Sequence, residues 1–522
     1  MNHFTKYLLQ GCAALVVMTM LNSCDSFLNQ QNPNRIPAET YFQDENDILR
    51  ALNGVYYSLR SQYLLGEGTI NWTEERSDNM GRLDNQSDSG EPFQFTDYDL
   101  SSTNRHIRKH WTAHNQGINR ANFVLKGLEE VEFEDQTLKS QYRAEALFLR
   151  ALIYYHAVRK WGDLPLVTKY VSTPEEISEV SVRRDKKEVY DLIVSDLTLA
   201  LKEAERGKLP NLQSAGGKGR ASKAAICGLL GEVYLTMHAE FPGDPKRADF
   251  ASDAKKYLKQ CWEMRPFERI EDIPYADVFD VHKKDHNPEV IFEIVYIQGD
   301  KNYSSGLARG NQPKGLFTLS RNKSTGDGRY VNLDLVREYE PGDLRKDWNI
   351  QLNPNVVSET YYCSKYRDNG DAAGDLGYGG NNWILMRYGD IALLLAESEM
   401  LLGNETEAVR YIDMIRKRAG LPSYEESCQD PSYSNLYPTL KLALLHERRA
   451  ELAFECHRWY DLLRFFTPSE LVTYMHAKDP DGCGISNLRN FTEADRLYPI
   501  PFDEWKLNPE KMYQNPGYGS KE

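Results

Sequence analysis

The stretch RAEALFLRALIYYHAVRKWGDLPLV, residues 143–167, constrains this chain more than any other. Leu138, Tyr142, Ala146, Leu149, Ile153 and Ala157 recur at the helical period, and from Phe148 to Val158 only Arg150 and His156 interrupt a surface that is apolar on nearly all sides. A helix of that kind must be enclosed by other helices. The chain is therefore committed to a multi-helix core.

Partner helices are legible elsewhere. Residues 386–402 read as one helix, Gly403 breaks it, and Asn404 with Glu407 three positions on predicts a capped restart. Ala408, Ile412, Ile415 and Ala419 make the apolar face of the second helix, which Gly420 and Pro422 stop. Two helices joined by so short a turn fold back antiparallel, and the unit has the length of a tetratricopeptide repeat. Similar pairs are predicted at 106–160, 185–236 and 220–262, where Ala248, Ala251 and Ala254 are spaced for close helix contact. Between the pairs lie inserts at 64–105, 264–382 and 422–438, rich in Gly, Asn, Asp, Ser and Tyr, and the alternation of EVIFEIVY, residues 289–296, predicts a strand. The expected fold class is mostly α: tetratricopeptide-type helix pairs with long irregular loop inserts and a little β. Long inserts in a compact body carry function, so ligand-binding residues are sought there.

The N-terminus reads as an export signal. After Lys6, residues Tyr7 to Leu21 carry no charge, and the run is shorter than the about 20 residues a membrane-spanning helix needs. A basic end, a short apolar core and a small residue before a break is the layout of a secretory signal. The break itself, Leu21-Asn22-Ser23-Cys24, resembles the lipobox of bacterial lipoproteins, which implies that residues 1–23 are removed and Cys24 is acylated; ordinary secretion with a free Cys24 is the alternative. Residues 24–40 then form a polar tether, since Asn, Gln, Asp, Ser and Pro bury too little apolar surface to order themselves.

The full chain has 522 residues and a formal net charge of -14, and loss of Lys6 with the signal leaves 62 basic against 77 acidic side chains. That balance argues against a nucleic-acid partner, which needs clustered Lys and Arg. Of the 8 cysteines, Cys227, Cys261, Cys363, Cys428, Cys456 and Cys483 are too far apart for a zinc or redox motif, so no obligatory disulfide is expected. No nucleophile elbow, P-loop, dinucleotide fingerprint or zinc motif occurs. His446-Glu447 starts an HExxH pattern whose fifth position is Ala450, which removes the second ligand. A pair of glycosidase carboxylates leaves no spacing signature and stays open as an enzyme alternative. No cofactor is expected. A structural calcium ion could sit in RDNGDAAGDLG, residues 367–377, through Asp368, Asp371 and Asp375, although the spacing is not that of an EF-hand and a solvated turn is the better reading.

Five segments in order resemble the SusD/RagB family of outer-membrane nutrient-uptake lipoproteins. They are YFQDENDILRALNGVYYSLR (41–60), AEALFLRALIYYHAVRKWGDLPLV (144–167), GRASKAAICGLLGEVYLTM (219–237), RYGDIALLLAESEMLLGNETEAVRYIDMIRKRAGL (387–421), and HERRAELAFECHRWYDLLRF (446–465) followed by LYPIPFDEWKLNPEKMYQNPGY (497–518). In the last of these, Arg458, Asp461 and Arg464 share a helix face by their spacing, a structural pattern. The resemblance implies a body over 41–522, divided into an N-terminal helical part (41–263), a loop-rich insert (264–382) and a C-terminal part (383–522) holding a helix pair, the signature helix and a Pro-rich tail. It further implies a non-enzymatic, surface-exposed lipoprotein, anchored in the outer membrane through the lipid on Cys24. Such a protein binds glycan and acts as a lid that delivers it to a SusC-like TonB-dependent transporter. Peptide cargo in the same lid role, or a protein-interaction scaffold without transport, are the alternatives.

Sugar binding needs flat rings for pyranose faces and fixed polar groups for hydroxyls. The loop-borne candidates are Trp72, Tyr98, Tyr303, Trp348, Tyr378 and Trp383, with Asp78, Asn79 and Arg82 as hydrogen-bonding partners.

Overall fold

The computed structural model describes residues 40–81, 88–311, 330–353, 359–368, 377–478 and 486–519. Eleven long helices frame it: α1 Glu45–Ser58, α2 Arg105–Glu130, α3 Gln136–Trp161, α4 Lys186–Arg206, α5 Lys223–Glu240, α6 Arg247–Glu263, α7 Tyr388–Leu401, α8 Glu405–Arg418, α9 Leu440–Leu452, α10 Arg458–Phe465 and α11 Pro468–His476. Six strands matter to the site: β1 Met80–Gly81, β2 Val290–Ile294, β3 Tyr330–Val331, β4 Ile350–Leu352, β5 Tyr361–Cys363 and β6 Trp383–Arg387. Among the described residues no helix is long and apolar enough to cross a membrane.

Helix α3 is enclosed as its composition requires, packing against α2 and α4. Its charged interruption is satisfied from both neighbours: Arg150 makes two 2.7 Å hydrogen bonds to Asp196 on α4 and donates to Asn122 Oδ1 on α2 at 2.9 Å. A buried guanidinium survives because its donors are occupied. The C-terminal tail is tied to the same helix, with Tyr498 N donating to Lys160 O at 2.6 Å and Trp161 Nε1 to Pro499 O at 3.2 Å.

The second scaffold is the pair α7 and α8, reversed at Gly403 with φ +78°. Asn404 precedes α8 without capping it. Its Nδ2 instead donates to Glu399 Oε2 at 2.8 Å, so the expected cap is replaced by a bond back to the preceding helix. Strands β2 and β6 pair antiparallel, Val290 with Arg387 through Ile294 with Trp383. The strand predicted from the alternation is present as β2, and all five of its residues are buried. One face meets α3, where Phe148 and Phe292 pack edge to face at 5.1 Å. A four-stranded sheet of order β1-β3-β5-β4 ties residues 80–81 to the insert.

Beneath both runs a buried ionic network centred on α9. Arg448 bridges Asp390 and Asp461 at 2.9 Å each, and Glu447 receives Arg345 at 2.5 Å and Arg416 at 3.2 Å. Asp461 and Arg464 pair at 2.9 Å, but Arg458 turns away from its helix neighbour to Asp78 at 2.7 Å. After α9 the backbone takes positive φ at Phe454 (68°) and Cys456 (65°), and both amides donate to the Glu74 carboxylate, at 2.9 and 3.1 Å. Cys227, Cys261, Cys363, Cys428 and Cys456 form no disulfide among the described residues; Cys483 lies outside them.

Candidate functional site

Three of the six loop aromatics are buried. Trp72 packs between Tyr63 (5.7 Å) and His106 (4.6 Å) at 3% exposure, and Trp383 lies against Tyr366 at 1%. Tyr98 is buried too, its hydroxyl donating to Arg76 O at 2.7 Å. None of these three rings offers a face to solvent in this conformation. The polar candidates are likewise committed. Asp78 is ion-paired with Arg458 (2.7 Å), Arg449 and Lys478 (3.2 Å each). Burial opposes its charge, yet these three cations hold its carboxyl well below the usual carboxylate range. Asn79 donates to Glu74 at 2.7 Å and accepts from Arg449 at 2.8 Å. Asp78 and Asn79 thus belong to the ionic core, and Arg82 lies outside the described residues.

Trp348 is half-buried, its indole donating to Lys365 O at 3.0 Å and the Arg367 guanidinium lying 4.3 Å over the ring. Tyr303 and Tyr378 are brought together by the backbone. Gly299 N donates to Tyr378 O at 3.0 Å, and Ser305 pairs with Gly379 in a bridge beside it. Asp300 Oδ1 accepts from the amides of Asn302 (2.7 Å) and Tyr303 (3.0 Å), an Asx-turn that closes the loop tip. Asp368 accepts from Gly380 N at 2.7 Å and from Gln298 Nε2, so its carboxylate braces this loop; Asp371 and Asp375 lie outside the described residues. From below, Lys284 Nζ donates to Tyr296 O (2.7 Å) and Gly380 O (2.6 Å).

On this braced loop Tyr303 is 45% exposed, and it faces a residue the sequence pattern did not single out: Tyr57, on the last turn of α1, at 59%. The two rings are 6.3 Å apart at 74°. Arg60 is set among them, its guanidinium 5.6 Å from Tyr57, 5.0 Å from Tyr303 and 4.9 Å from buried Tyr296, with Nη2 donating to Asn302 O at 3.0 Å. A signal for Tyr57 was present, because it falls off the buried stripe of Ile48, Leu52 and Val55. The arrangement can do two things chemically. The ring faces can cover apolar ligand surface, and the guanidinium and loop amides offer donors at fixed positions.

The HExxH fragment gathers differently. Glu340, His446 and Glu447 bring ligand atoms within 4.8 Å of one another, but Arg416 already bonds Glu340 at 2.6 Å and Glu447 at 3.2 Å. With a guanidinium between its carboxylates, this group is part of the ionic core.

The sequence profile of the SusD family matches residues 345–518, and a second profile, described as starch-binding and associating with the outer membrane, matches 26–235. The chain belongs to the SusD/RagB family. SusD-like protein P2 of Formosa agariphila is 28% identical over 532 residues, covering 97% of this chain and 98% of that one. Among solved structures, a laminarin-binding SusD-like protein superposes with a TM-score of 0.72 at 24% identity, over 91% of this chain and all of its own. Surface glycan-binding protein A of Bacteroides thetaiotaomicron in complex with laminarihexaose gives 0.72 at 18%, with 91% of this chain covered. The helical SusD fold with its irregular insert is therefore the fold of this chain.

Proposed function

We propose that this SusD-family protein is a cell-surface lipoprotein that binds glycan on the Tyr57–Arg60–Tyr303 face and passes it, as a lid, to a SusC-like TonB-dependent transporter. The carrying observation is the exposed pair of rings with a guanidinium fixed between them, on a loop braced by Lys284, Asp368 and the Tyr378 backbone. Relatives named for binding laminarin or starch support glycan as the ligand class. In this reading Cys24, which lies outside the described residues, carries the lipid, and residues 24–40 let the body swing. The chemistry is binding without turnover.

Affinity electrophoresis and calorimetry against a panel of polysaccharides and peptides test the proposal. At least one glycan should be retained by the wild type and released by Tyr57→Ala and by Tyr303→Ala at unchanged thermal midpoint. Retention of peptides alone would replace glycan by peptide cargo, and shortening of a labelled oligosaccharide would contradict the binding role. For the anchor, fatty-acid labelling should be present in the wild type and lost in Cys24→Ala. Co-purification of a barrel transporter with the intact protein tests the lid role.

A further inference from the structure

A cleft of about 360 Å³ opens at the ends of α5, α7 and α10, built from elements other than those of the tyrosine face, and continues through Lys441, Phe466 and Glu470 into a shallower one of about 530 Å³. Its floor is aliphatic and partly open to solvent: Leu401 is 38% exposed, with Met400, Leu463 and Phe466 beside it. Lys186, Arg247, Lys441, Arg464 and Arg496 line it against Glu240, Glu397 and Glu470, a surplus of two positive charges on a chain of net charge -14. The neighbouring His238 adds none, since burial lowers its pKa.

These cations are not all spent on one another. Arg464 is bonded to Glu397 at 2.7 Å and Lys186 to Glu240, whereas Arg496 stands 3.6 Å from Glu240 with a buried Nε that has no partner among the described residues. Deeper in, a pocket that shares Lys186, Glu240, Arg464 and Arg496 with the cleft reaches Arg159, whose side chain is 7% exposed, lies between the Tyr155 and Tyr460 rings at 3.8 Å from each and is ion-paired with Glu232 at 3.2 Å. Its Nε is also unpartnered. At the rim, Arg247 donates to His238 O at 3.0 Å and Lys441 lies over the Phe466 ring at 5.5 Å, so both heads stay in solvent. Donors held ready above an aliphatic floor match a ligand that alternates acid and apolar side chains, because unpaired buried N–H groups favour an anion and Leu, Met and Phe favour hydrocarbon.

We infer that this cleft docks an extended, acidic and apolar peptide segment of a partner protein. An acidic glycan would satisfy the cations but would gain little from a floor of Leu401, Met400 and Leu463 with the single ring of Phe466.

The test uses the intact mature protein and a fluorescein-labelled peptide of alternating Leu and Glu, followed by anisotropy. The peptide should bind, lose affinity as salt is raised, and bind at least tenfold more weakly to the double variant Arg247→Glu/Lys441→Glu, whose thermal midpoint should match the wild type. Tyr57→Ala should leave this binding unchanged, which separates it from the glycan reading. No binding of the Glu peptide, equal binding of a Leu and Lys peptide, equal affinity in the double variant, or displacement by oligogalacturonate at lower concentration than by unlabelled peptide would each overturn the inference.

Discussion

Arg387 Nη1 lies 2.6 Å from Glu451 Oε1, with neither side chain more than 1% exposed. Glu451 also receives Arg345 at 3.2 Å and Arg418, so one carboxylate joins three guanidinium groups that arrive from the insert, β6 and α8 and that Asp343, Glu447, Glu289 and Glu455 hold from their other sides. Burial opposes its ionisation, but the three cations drive its pKa far below the usual range. Removing it leaves three buried guanidinium groups one carboxylate short, with only Asp343, Glu447, Glu289 and Glu455 to share among them. Glu451→Ala should therefore destabilise the fold by about 3–5 kcal/mol, the range for breaking a buried ion pair. Chemical denaturation measures it; a loss of less than about 1 kcal/mol, the worth of a surface pair, would mean that the network is solvated.

Lys160 should behave in the opposite sense. It is buried near His114 Nε2 at 3.5 Å, and burial followed by the charge of Arg159 lowers its pKa to about 7. The unfolded chain binds more protons than the folded one between pH 7 and 10.5, so this group costs stability fully below pH 7, and the cost fades as pH rises towards 10.5. Lys160→Met should stabilise at pH 7 by roughly 2–4 kcal/mol, with the gain vanishing by pH 10.5. A gain independent of pH would assign the effect to packing alone.

His446 carries the reverse slope. Burial would lower its pKa, but hydrogen bonds to Glu338 (2.9 Å) and Glu340 (3.1 Å) override this and raise it to about 9. A raised value stabilises fully below the unfolded pKa of 6.5 and is lost as pH climbs through 9. His446→Gln should cost most at pH 6 and progressively less towards pH 9. The difference between the two unfolding curves across that window is the measurement.

At the tyrosine face the proposed contact is made by the ring and not by the hydroxyl. Tyr57→Phe should keep glycan affinity within twofold, while Tyr57→Ala should lose roughly 0.5–1.5 kcal/mol of binding free energy, the range for an aromatic contact. Arg60→Met should weaken binding as well, because it removes the guanidinium between the rings. Isothermal titration with the glycan found in the panel decides all three.

The helices were readable from local signals. Enclosure of α3 follows from an apolar surface on every side, and the α7–α8 hairpin follows from Gly403, whose positive φ a side chain resists. The site was readable only in part. The loop candidate Tyr303 is exposed, but its partner Tyr57 sits on α1, while candidates were sought on the loops. Trp72 and Tyr98 share the irregular setting of Tyr303 and Trp383 opens β6 where a loop was expected, yet long-range partners cover all three: His106 on α2, Phe491 near the C-terminus and Tyr366 in the insert. Burial of a loop aromatic is decided by what packs over it, which sequence spacing does not encode. The same holds for Asp78, whose three cations come from residues 449–478.

The antiparallel pairing of β2 with β6 staples together the two ends of residues 295–382, the larger part of the insert. Within that span Glu338, Glu340, Arg345 and Lys365 are fixed by the ionic core, whereas the Tyr303 loop hangs outside it. The loop tip can therefore be exchanged while its stem keeps the same geometry, and a chimaera that swaps residues 297–304 alone is the natural way to alter the face it presents.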